Sequence, residues 1–299
     1  MTHSSKQFRI LFVILTGLFL FGFGTASCAF AGRQFQLPPN AKAYRLKGTS
    51  QTIPVSQLSE IKAGSAWKVI LTQGSVPSVR LEYDEGIARD LIVGVGGGTL
   101  YLYCDTSGKL FKSNKKRIAY ITVTDLREVK LSGASTLEVK NTLLSRGEFE
   151  MDLSGASEAK NFKVECKDFS ADLSGASELS GVIKCAGKVE IDLSGASSAT
   201  LDNTLVAREL DADLSGASDL GLKGTANRVD LDLSGASELH AKAFVAKDCE
   251  IEASGASEAE ITVRGAVSLD VSGASSVDVW GKPTINSMKS SGSSDINVH

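Results

Sequence analysis

Proline is scarce in this chain of 299 residues, and its scarcity restricts how the abundant glycine can be used. The sequence has 5 prolines, none of them between Pro77 and Pro283, but it has 29 glycines. Loop-rich and low-complexity segments usually combine many glycines with many prolines. The excess glycine therefore belongs to a periodic structure.

Histidine, cysteine and aromatic residues are also few. The histidines are His3, His240 and His299, from which the sequence alone assembles no catalytic triad and no zinc site; we expect His240 to lie on the surface. Five cysteines exclude a scaffold built on disulfides. Gly94–Thr99 is glycine-rich but lacks the third glycine and the helix of a dinucleotide site, so we predict a hairpin turn there. The sequence predicts no catalytic residue, no cofactor-binding residue and no metal ligand.

The N-terminus has the layout of a secretory signal. Lys6 and Arg9 precede an apolar run, Ile10–Phe23, which is followed by small residues. We predict a signal peptide over residues 1–31. A lipoprotein signal ending at residue 27 is the alternative, with Cys28 acylated and attached to a membrane. Either signal predicts an exported protein of the periplasm, outer membrane or cell surface.

A repeat of about twenty residues fills the rest of the chain. The tetrapeptide Ser-Gly-Ala-Ser, here called the motif, recurs eight times, and Ser-Gly-Ser-Ser closes the series. The nine units begin at Ser132, Ser154, Ser174, Ser194, Ser215, Ser234, Ser254, Ser272 and Ser291. Apolar residues stand one, three and five positions before the first serine and five positions after it. This alternation is typical of strands with one buried face.

The repeat predicts an all-β fold. Short strands with one wet face become stable when identical coils stack and bury each inward side chain against its counterparts. We predict a right-handed, single-stranded parallel β-helix of about nine coils over residues 126–299, with winding that follows the usual crossover rule. Residues 32–125 are predicted to form an N-terminal β cap continuous with this solenoid, either as longer irregular coils or as an antiparallel layer.

Acidic residues recur two positions before the motif and predict an outward acidic stripe. They are Asp152, Asp172, Asp192, Asp213, Asp232, Glu252 and Asp270. Stacked like charges repel, so either recurring cations such as Lys188 or a row of calcium ions must relieve them. The sequence leaves both possibilities open. It also leaves open a disulfide between Cys166 and Cys185, which fall on adjacent coils.

The chain resembles a known family in Gln57–Asp105, which includes Trp67–Gly74, in the motif coils, and in the closing Ser-Gly-Ser-Ser-Asp-Ile. It is similar to the Bacteroidetes putative auto-transporter adhesins with a head GIN domain. The resemblance spans residues 50–299, although that family often has Gly-Ser-Gly where this chain has alanine at the third place. It implies a pectin-lyase-like right-handed β-helix, a secreted or cell-envelope location and an adhesion role, and it brings no catalytic residues.

Two functional classes follow from these observations. The first is a non-enzymatic envelope scaffold or adhesin that binds an envelope or host glycan or protein. The second is a polysaccharide lyase-like enzyme, which the β-helix permits only by analogy of fold. A lyase requires a local break in the repeat with converging basic and acidic groups, whereas the stripes are uniform. Nucleic acid is not an expected partner of an exported chain with net charge −3.

Overall fold

The fold is built from β-strands, with a single 3-10 turn at Glu85–Ile87 among the described residues. The structure, a computed structural model, describes residues 35–105, 115–206 and 208–299, without the side chains of residues 203–206. The predicted signal peptide, over residues 1–31 or 1–27, and the acylation site at Cys28 lie outside the described residues. No helix long and apolar enough to span a bilayer occurs in the part of the chain that the structure describes.

Eight strands precede the motif-bearing region. They are β1 (Lys42–Tyr44), β2 (Ser50–Ile53), β3 (Glu60–Ala63), β4 (Lys68–Gln73), β5 (Ser78–Tyr83), β6 (Leu91–Gly96), β7 (Thr99–Cys104) and β8 (Arg117–Val123).

The motif-bearing region begins with β9. Its strands are β9 (Glu128–Leu131), β10 (Thr136–Val139), β11 (Leu143–Leu144), β12 (Glu148–Leu153), β13 (Glu158–Cys166), β14 (Asp168–Leu173), β15 (Glu178–Cys185), β16 (Lys188–Leu193), β17 (Ser198–Val206), β18 (Glu209–Leu214), β19 (Asp219–Leu233), β20 (Glu238–Ala253), β21 (Glu258–Val263), β22 (Ala266–Val271), β23 (Ser276–Trp280), β24 (Thr284–Ser290) and β25 (Asp295–Val298).

Each coil contributes one strand before the motif and one after it, and each strand pairs in parallel with its counterpart in the next coil. The strands before the motif form a ladder that we call the pre-motif sheet: β9, β12, β14, β16, β18, the ends of β19 and β20, β22 and β24. Those after it form the post-motif sheet: β10, β13, β15, β17, the beginnings of β19 and β20, β21, β23 and β25. The predicted β-solenoid with coils of about twenty residues is confirmed, and its nine corners enclose eight complete turns. The right-handed winding stays a prediction.

Columns of identical register make the core. In the first five units the apolar position five residues after the first serine alternates between leucine and alanine, so that Leu179 stacks on Ala159 and under Ala199, and all three are buried. Phe149, Phe162 and Phe169 form one cluster across successive coils, with ring centroids 5.4 to 6.2 Å apart. Burying such side chains contributes roughly 1.5–3 kcal/mol each. The inward positions predicted from the alternation are therefore the ones that form the core.

The glycine of the motif forms the corner between the two sheets. All nine motif glycines have φ between +74° and +82°, a conformation that side chains with a Cβ rarely adopt. The alanine that follows donates its N–H to the glycine carbonyl of the preceding coil, as from Ala196 to Gly175 at 2.7 Å. The corner thus continues the backbone hydrogen-bond ladder around the coil.

The N-terminal region extends both sheets and then reverses their direction. β3 and β7 extend the pre-motif sheet in parallel, and β4 and β8 extend the post-motif sheet. Beyond them β6 and β1, and β5 and β2, pair in antiparallel fashion. The hairpin predicted at the glycine cluster joins β6 to β7, with Gly97 and Gly98 at φ +62° and +84°. This region lies against the first motif-bearing coil, β9 and β10, while the boundary at residues 125/126 stays a prediction.

One coil of the stack carries no recognisable motif. Between β3 and β4 the chain reads Gly64-Ser65-Ala66-Trp67, and the strand register places Ser65 at the level of Gly133. Ser65 has φ +62° despite its side chain. Trp67 takes the place of the buried serine and donates its indole N–H to the carbonyl of Tyr103 at 3.3 Å. The stack therefore begins about 70 residues before the first Ser-Gly-Ala-Ser.

Candidate functional site

The pre-motif sheet carries the predicted acidic stripe as an unbroken row. The register aligns Asp152, Asp172, Asp192, Asp213, Asp232, Glu252 and Asp270 one above another. Their side chains point outward, because they alternate with the buried residues of the same strands. We call this set the acidic row. Its carboxylates repeat at about 4.8 Å, the spacing of neighbouring strands.

A groove of about 540 Å³ runs beside the C-terminal half of the acidic row. The first serine of each motif forms its other wall, because the strand ends there and the chain turns into the glycine corner. The groove is lined by Asp213, Leu214, Ser215, Asp232, Leu233, Ser234, Glu252, Ala253, Ser254, Asp270 and Ser272. Carboxylates and hydroxyls therefore line the groove in parallel rows, one pair per coil.

Burial and the neighbouring like charges raise the pKa values of two carboxyl groups in the acidic row. Burial and the neighbouring Asp172 and Asp213 raise the pKa of Asp192 from 3.8 to about 7. Burial, Asp213 and Glu252 raise the pKa of Asp232 to about 6. Both shifts have the direction that desolvation and like charges impose on a carboxyl group. The repulsion expected from the sequence is therefore present, and protonation relieves part of it.

Lysines lie at both ends of the acidic row. Lys130 Nζ is 3.5 Å from Asp152 Oδ2, and Lys289 Nζ is 3.1 Å from Asp270 Oδ2. In the next outward row of the same sheet, Lys188 Nζ contacts Glu190 at 3.1 Å and Asp211 at 2.9 Å. Lys188 therefore neutralises carboxylates of this neighbouring row, and relief of the acidic row itself by recurring cations stays a prediction. Calcium binding to the row stays untested.

The serines of the motif have structural contacts. The first serine donates to a main-chain carbonyl of the coil before it, as from Ser215 to Leu193 at 3.4 Å. The second serine is buried, and in several coils it donates to the carbonyl of the first, as from Ser157 to Ser154 at 2.7 Å. A nucleophilic serine needs a base that takes its proton. Most of the hydroxyls with a hydrogen-bond partner contact backbone carbonyls instead, and Ser218 and Ser237 are buried without a partner among the described residues, so the geometry gives these serines a structural role.

Cys166 and Cys185 lie side by side on neighbouring coils. They are register partners in β13 and β15, and their Sγ atoms are 2.8 Å apart. The close thiol and burial raise the pKa of Cys185. The two thiols thus have the proximity that the sequence suggested, and the disulfide itself stays a prediction.

The one tryptophan of the repeat region is not open for stacking on a sugar. The rings of Trp280 and His299 stack with centroids 3.9 Å apart, and Lys242 Nζ lies 3.5 Å from the centroid of Trp280. A ring and an ammonium group at these distances cannot share one face. Both faces of Trp280 are therefore occupied by the protein's own side chains.

The post-motif sheet carries a second acidic row that the sequence analysis did not identify. It includes Glu158, Glu178, Asp219, Glu238, Glu258 and Asp295, each four residues after the first serine of its motif. His240 lies beside this row, two residues after Glu238 on β20, with half of its side chain exposed. The spacing of four residues was visible in the sequence and would have revealed this row.

The repeat and its cap identify the family. Residues 57–203 and 180–283 match the family described as "Putative auto-transporter adhesin, head GIN domain". The chain belongs to this family. The resemblance drawn from the sequence is thereby confirmed, and the match extends from the motif-free first coil to the level of Trp280. No curated protein matches the chain.

Solved structures share the fold of this family member at low sequence identity. A putative lipid binding protein from Parabacteroides distasonis superposes with a TM-score of 0.53 at 19% identity, covering 84% of this chain and 96% of that chain. A putative adhesin from the same organism gives a TM-score of 0.53 at 18% identity, covering 86% of this chain and 98% of that chain. At these identities the likeness concerns the fold alone.

Proposed function

We propose that this member of the adhesin family is an exported, non-enzymatic scaffold of the cell envelope that binds a glycan or a protein through its repeated faces. The family description supports an adhesion role. The N-terminal sequence, with its basic residues and short apolar run, supports export.

The acidic row with its parallel serine hydroxyls is the observation that carries this proposal. A catalyst needs a few different groups that converge on one reacting bond, with their pKa values pushed apart. The groove instead repeats one carboxylate and one hydroxyl in successive coils. Such a surface suits an extended partner, because each repeat of the partner can make the same contacts at a new coil.

The lining of the groove favours a partner rich in hydrogen-bond donors. Carboxylates accept hydrogen bonds and attract cations, and serine hydroxyls donate and accept. A polymer with repeated hydroxyl or amine groups therefore complements the groove better than an acyl chain does. The glycan or protein expected from the sequence fits this description.

Binding by the protein without its signal sequence tests the proposal. The wild-type protein is screened on a glycan array and on immobilised extracellular-matrix proteins. It is compared with a groove variant carrying Asp213→Asn, Asp232→Asn and Glu252→Gln. A matched control carries Glu158→Gln, Glu178→Gln and Glu258→Gln, which remove the same charge from the post-motif sheet. We expect the groove variant to lose at least tenfold in affinity and the control to keep the wild-type affinity.

A parallel assay addresses the enzymatic alternative. Uronate-containing polysaccharides are incubated with the protein, and unsaturated products are followed by their ultraviolet absorbance. The proposal predicts binding without turnover. Product formation that scales with enzyme concentration would establish a lyase and overturn the non-enzymatic assignment. Equal affinity of the groove variant and the wild type would show that the acidic groove is not the surface that binds the partner.

A further inference from the structure

Two carboxylates and one imidazole from two neighbouring coils lie close together on the post-motif sheet. Asp219 lies at the beginning of β19, and Glu238 is its register partner at the beginning of β20. His240 lies two residues further along β20 and therefore on the same outward face as Glu238. One ligand atom from each of the three side chains lies within 4.8 Å of the other two.

The distances at His240 are longer than hydrogen bonds but suit a shared ion. His240 Nε2 is 3.6 Å from Asp219 Oδ2 and 3.4 Å from Glu238 Oε2, whereas N–H···O bonds fall at about 2.7–3.2 Å. Ligand atoms bound tetrahedrally at about 2.0–2.1 Å from one zinc ion lie about 3.4 Å from one another. The separations around Nε2 therefore match those of ligands that coordinate a single tetrahedral ion.

A glycine leaves room for an ion beside the imidazole. Gly221 is the register partner of His240 in the coil below. A Cβ built on Gly221 would meet nothing nearer than Thr200 at 3.7 Å. The space that a side chain would fill between Asp219 and His240 is therefore open to a metal ion and its water.

A further carboxylate lies on the other side of the imidazole. Glu260 is the register partner of His240 in the coil above, and its Oε1 lies 3.8 Å from His240 Nδ1. Histidines that bind a metal through one ring nitrogen usually present the other to a carboxylate or a carbonyl. Glu260 is therefore placed to accept the Nδ1 proton when Nε2 binds a metal ion between Asp219 and Glu238.

We propose that Asp219, Glu238 and His240 form a binding site for a divalent transition metal of the zinc class. The three side chains supply one nitrogen and two oxygen ligands, and water completes the coordination. Imidazole favours zinc over calcium and magnesium, which prefer all-oxygen sites. The site lies on the post-motif sheet and does not depend on the acidic groove of the proposed function.

Metal titration of the protein without its signal sequence tests this site. Zn²⁺ is titrated into metal-free protein by calorimetry, and the ring signals of His240 and His299 are followed by NMR. We expect one Zn²⁺ per chain and a shift of the His240 signals but not of the His299 signals. His240→Gln should weaken binding at least tenfold. Glu260→Gln should weaken it by a smaller factor, since Glu260 acts through the imidazole.

Control variants separate this site from general attraction of cations to the acidic surface. Glu178→Gln removes one carboxylate from the same row two coils away, and it should leave the affinity for Zn²⁺ unchanged. Excess Ca²⁺ should not displace the bound ion. Equal Zn²⁺ affinity in the wild type and the His240→Gln variant would overturn the proposal, and so would competition by calcium or the absence of stoichiometric binding.

Discussion

At the scale of single residues, the glycine of the motif meets two demands at once. It has a positive φ, and it lies so close to the coil below that a Cβ has no room. A Cβ on Gly195 would approach the carbonyl oxygen of Gly175 to 2.8 Å and its nitrogen to 3.1 Å. These neighbours are backbone atoms of another corner and cannot move without breaking the ladder. The sequence keeps glycine at this place in all nine units for these two reasons.

Gly195→Ala should therefore destabilise the protein. Backbone strain costs about 1–3 kcal/mol, and the clash adds to it. Gly147→Ala is the matched control, because a Cβ there meets nothing within 4 Å. Urea unfolding followed by circular dichroism should show a clear loss in midpoint for Gly195→Ala and little change for Gly147→Ala. Equal midpoints for the two variants would mean that the corner tolerates a side chain.

At the scale of the element, the acidic row makes the stability of the pre-motif sheet depend on pH. The pKa of Asp192 in the folded protein, about 7, lies above its reference value of 3.8. The folded state thus binds the proton more tightly than the unfolded state does. The free energy of unfolding contributed by this group is therefore highest below pH 4 and falls as the pH rises to about 7.

Asp192→Asn should remove this penalty. Because solvent screens part of the repulsion, we expect the free energy of unfolding of the variant to exceed that of the wild type by about 1 kcal/mol at pH 8. Near pH 4 the two free energies should be equal. Thermal unfolding at both pH values measures the difference. Asp152→Asn is the control: it loses an ion pair with Lys130 and should not stabilise at pH 8. A destabilised Asp192→Asn variant at pH 8 would contradict this description of the row.

Cys166 and Cys185 should form a disulfide that links β13 to β15. Under glutathione disulfide, thiol–disulfide exchange would join the two sulfurs and pass two hydrogens to glutathione. Peptide mapping without reductant should find the linked peptides, with Cys249 still open to alkylation after denaturation. The cross-link closes a loop of about twenty residues, and in the chain-entropy model it stabilises the folded protein by about 3 kcal/mol. Recovery of both cysteines as alkylated thiols after oxidation would contradict the pairing.

The sequence predicted those elements that repeat. The alternation around the motif identified the buried columns, such as Leu179 between two alanines, and the acidic row. It did not identify the first coil, because Ser65 and Trp67 replace the glycine and the serine that define the motif. It also did not group Asp219 with His240, since contact between coils depends on the strand register, which varies with coil lengths of 18 to 22 residues.

At the scale of the whole molecule, each coil contacts only its neighbours. The alignment of the surface rows therefore depends on the strand register between successive coils. Solenoids of this kind gain stability from nearest-neighbour interfaces. The same stacking aligns the acidic row, the motif hydroxyls and the second acidic row. Binding by repetition therefore depends on continuous parallel register from β9 to β25, and the proposed zinc site depends on the register between β19 and β20.

Distances between spin labels on the exposed alanines of the motif test this register most directly. Labels are attached through an unnatural amino acid, which preserves the native cysteines. One label stays at Ala156, and the second is placed at Ala236, Ala256 or Ala274 in turn. These pairs are four, five and six coils apart, so the label separation should increase by about 4.8 Å per coil, from about 19 to about 29 Å. Separations that do not grow steadily with coil number would contradict the stacked solenoid and the repeated surfaces built on it.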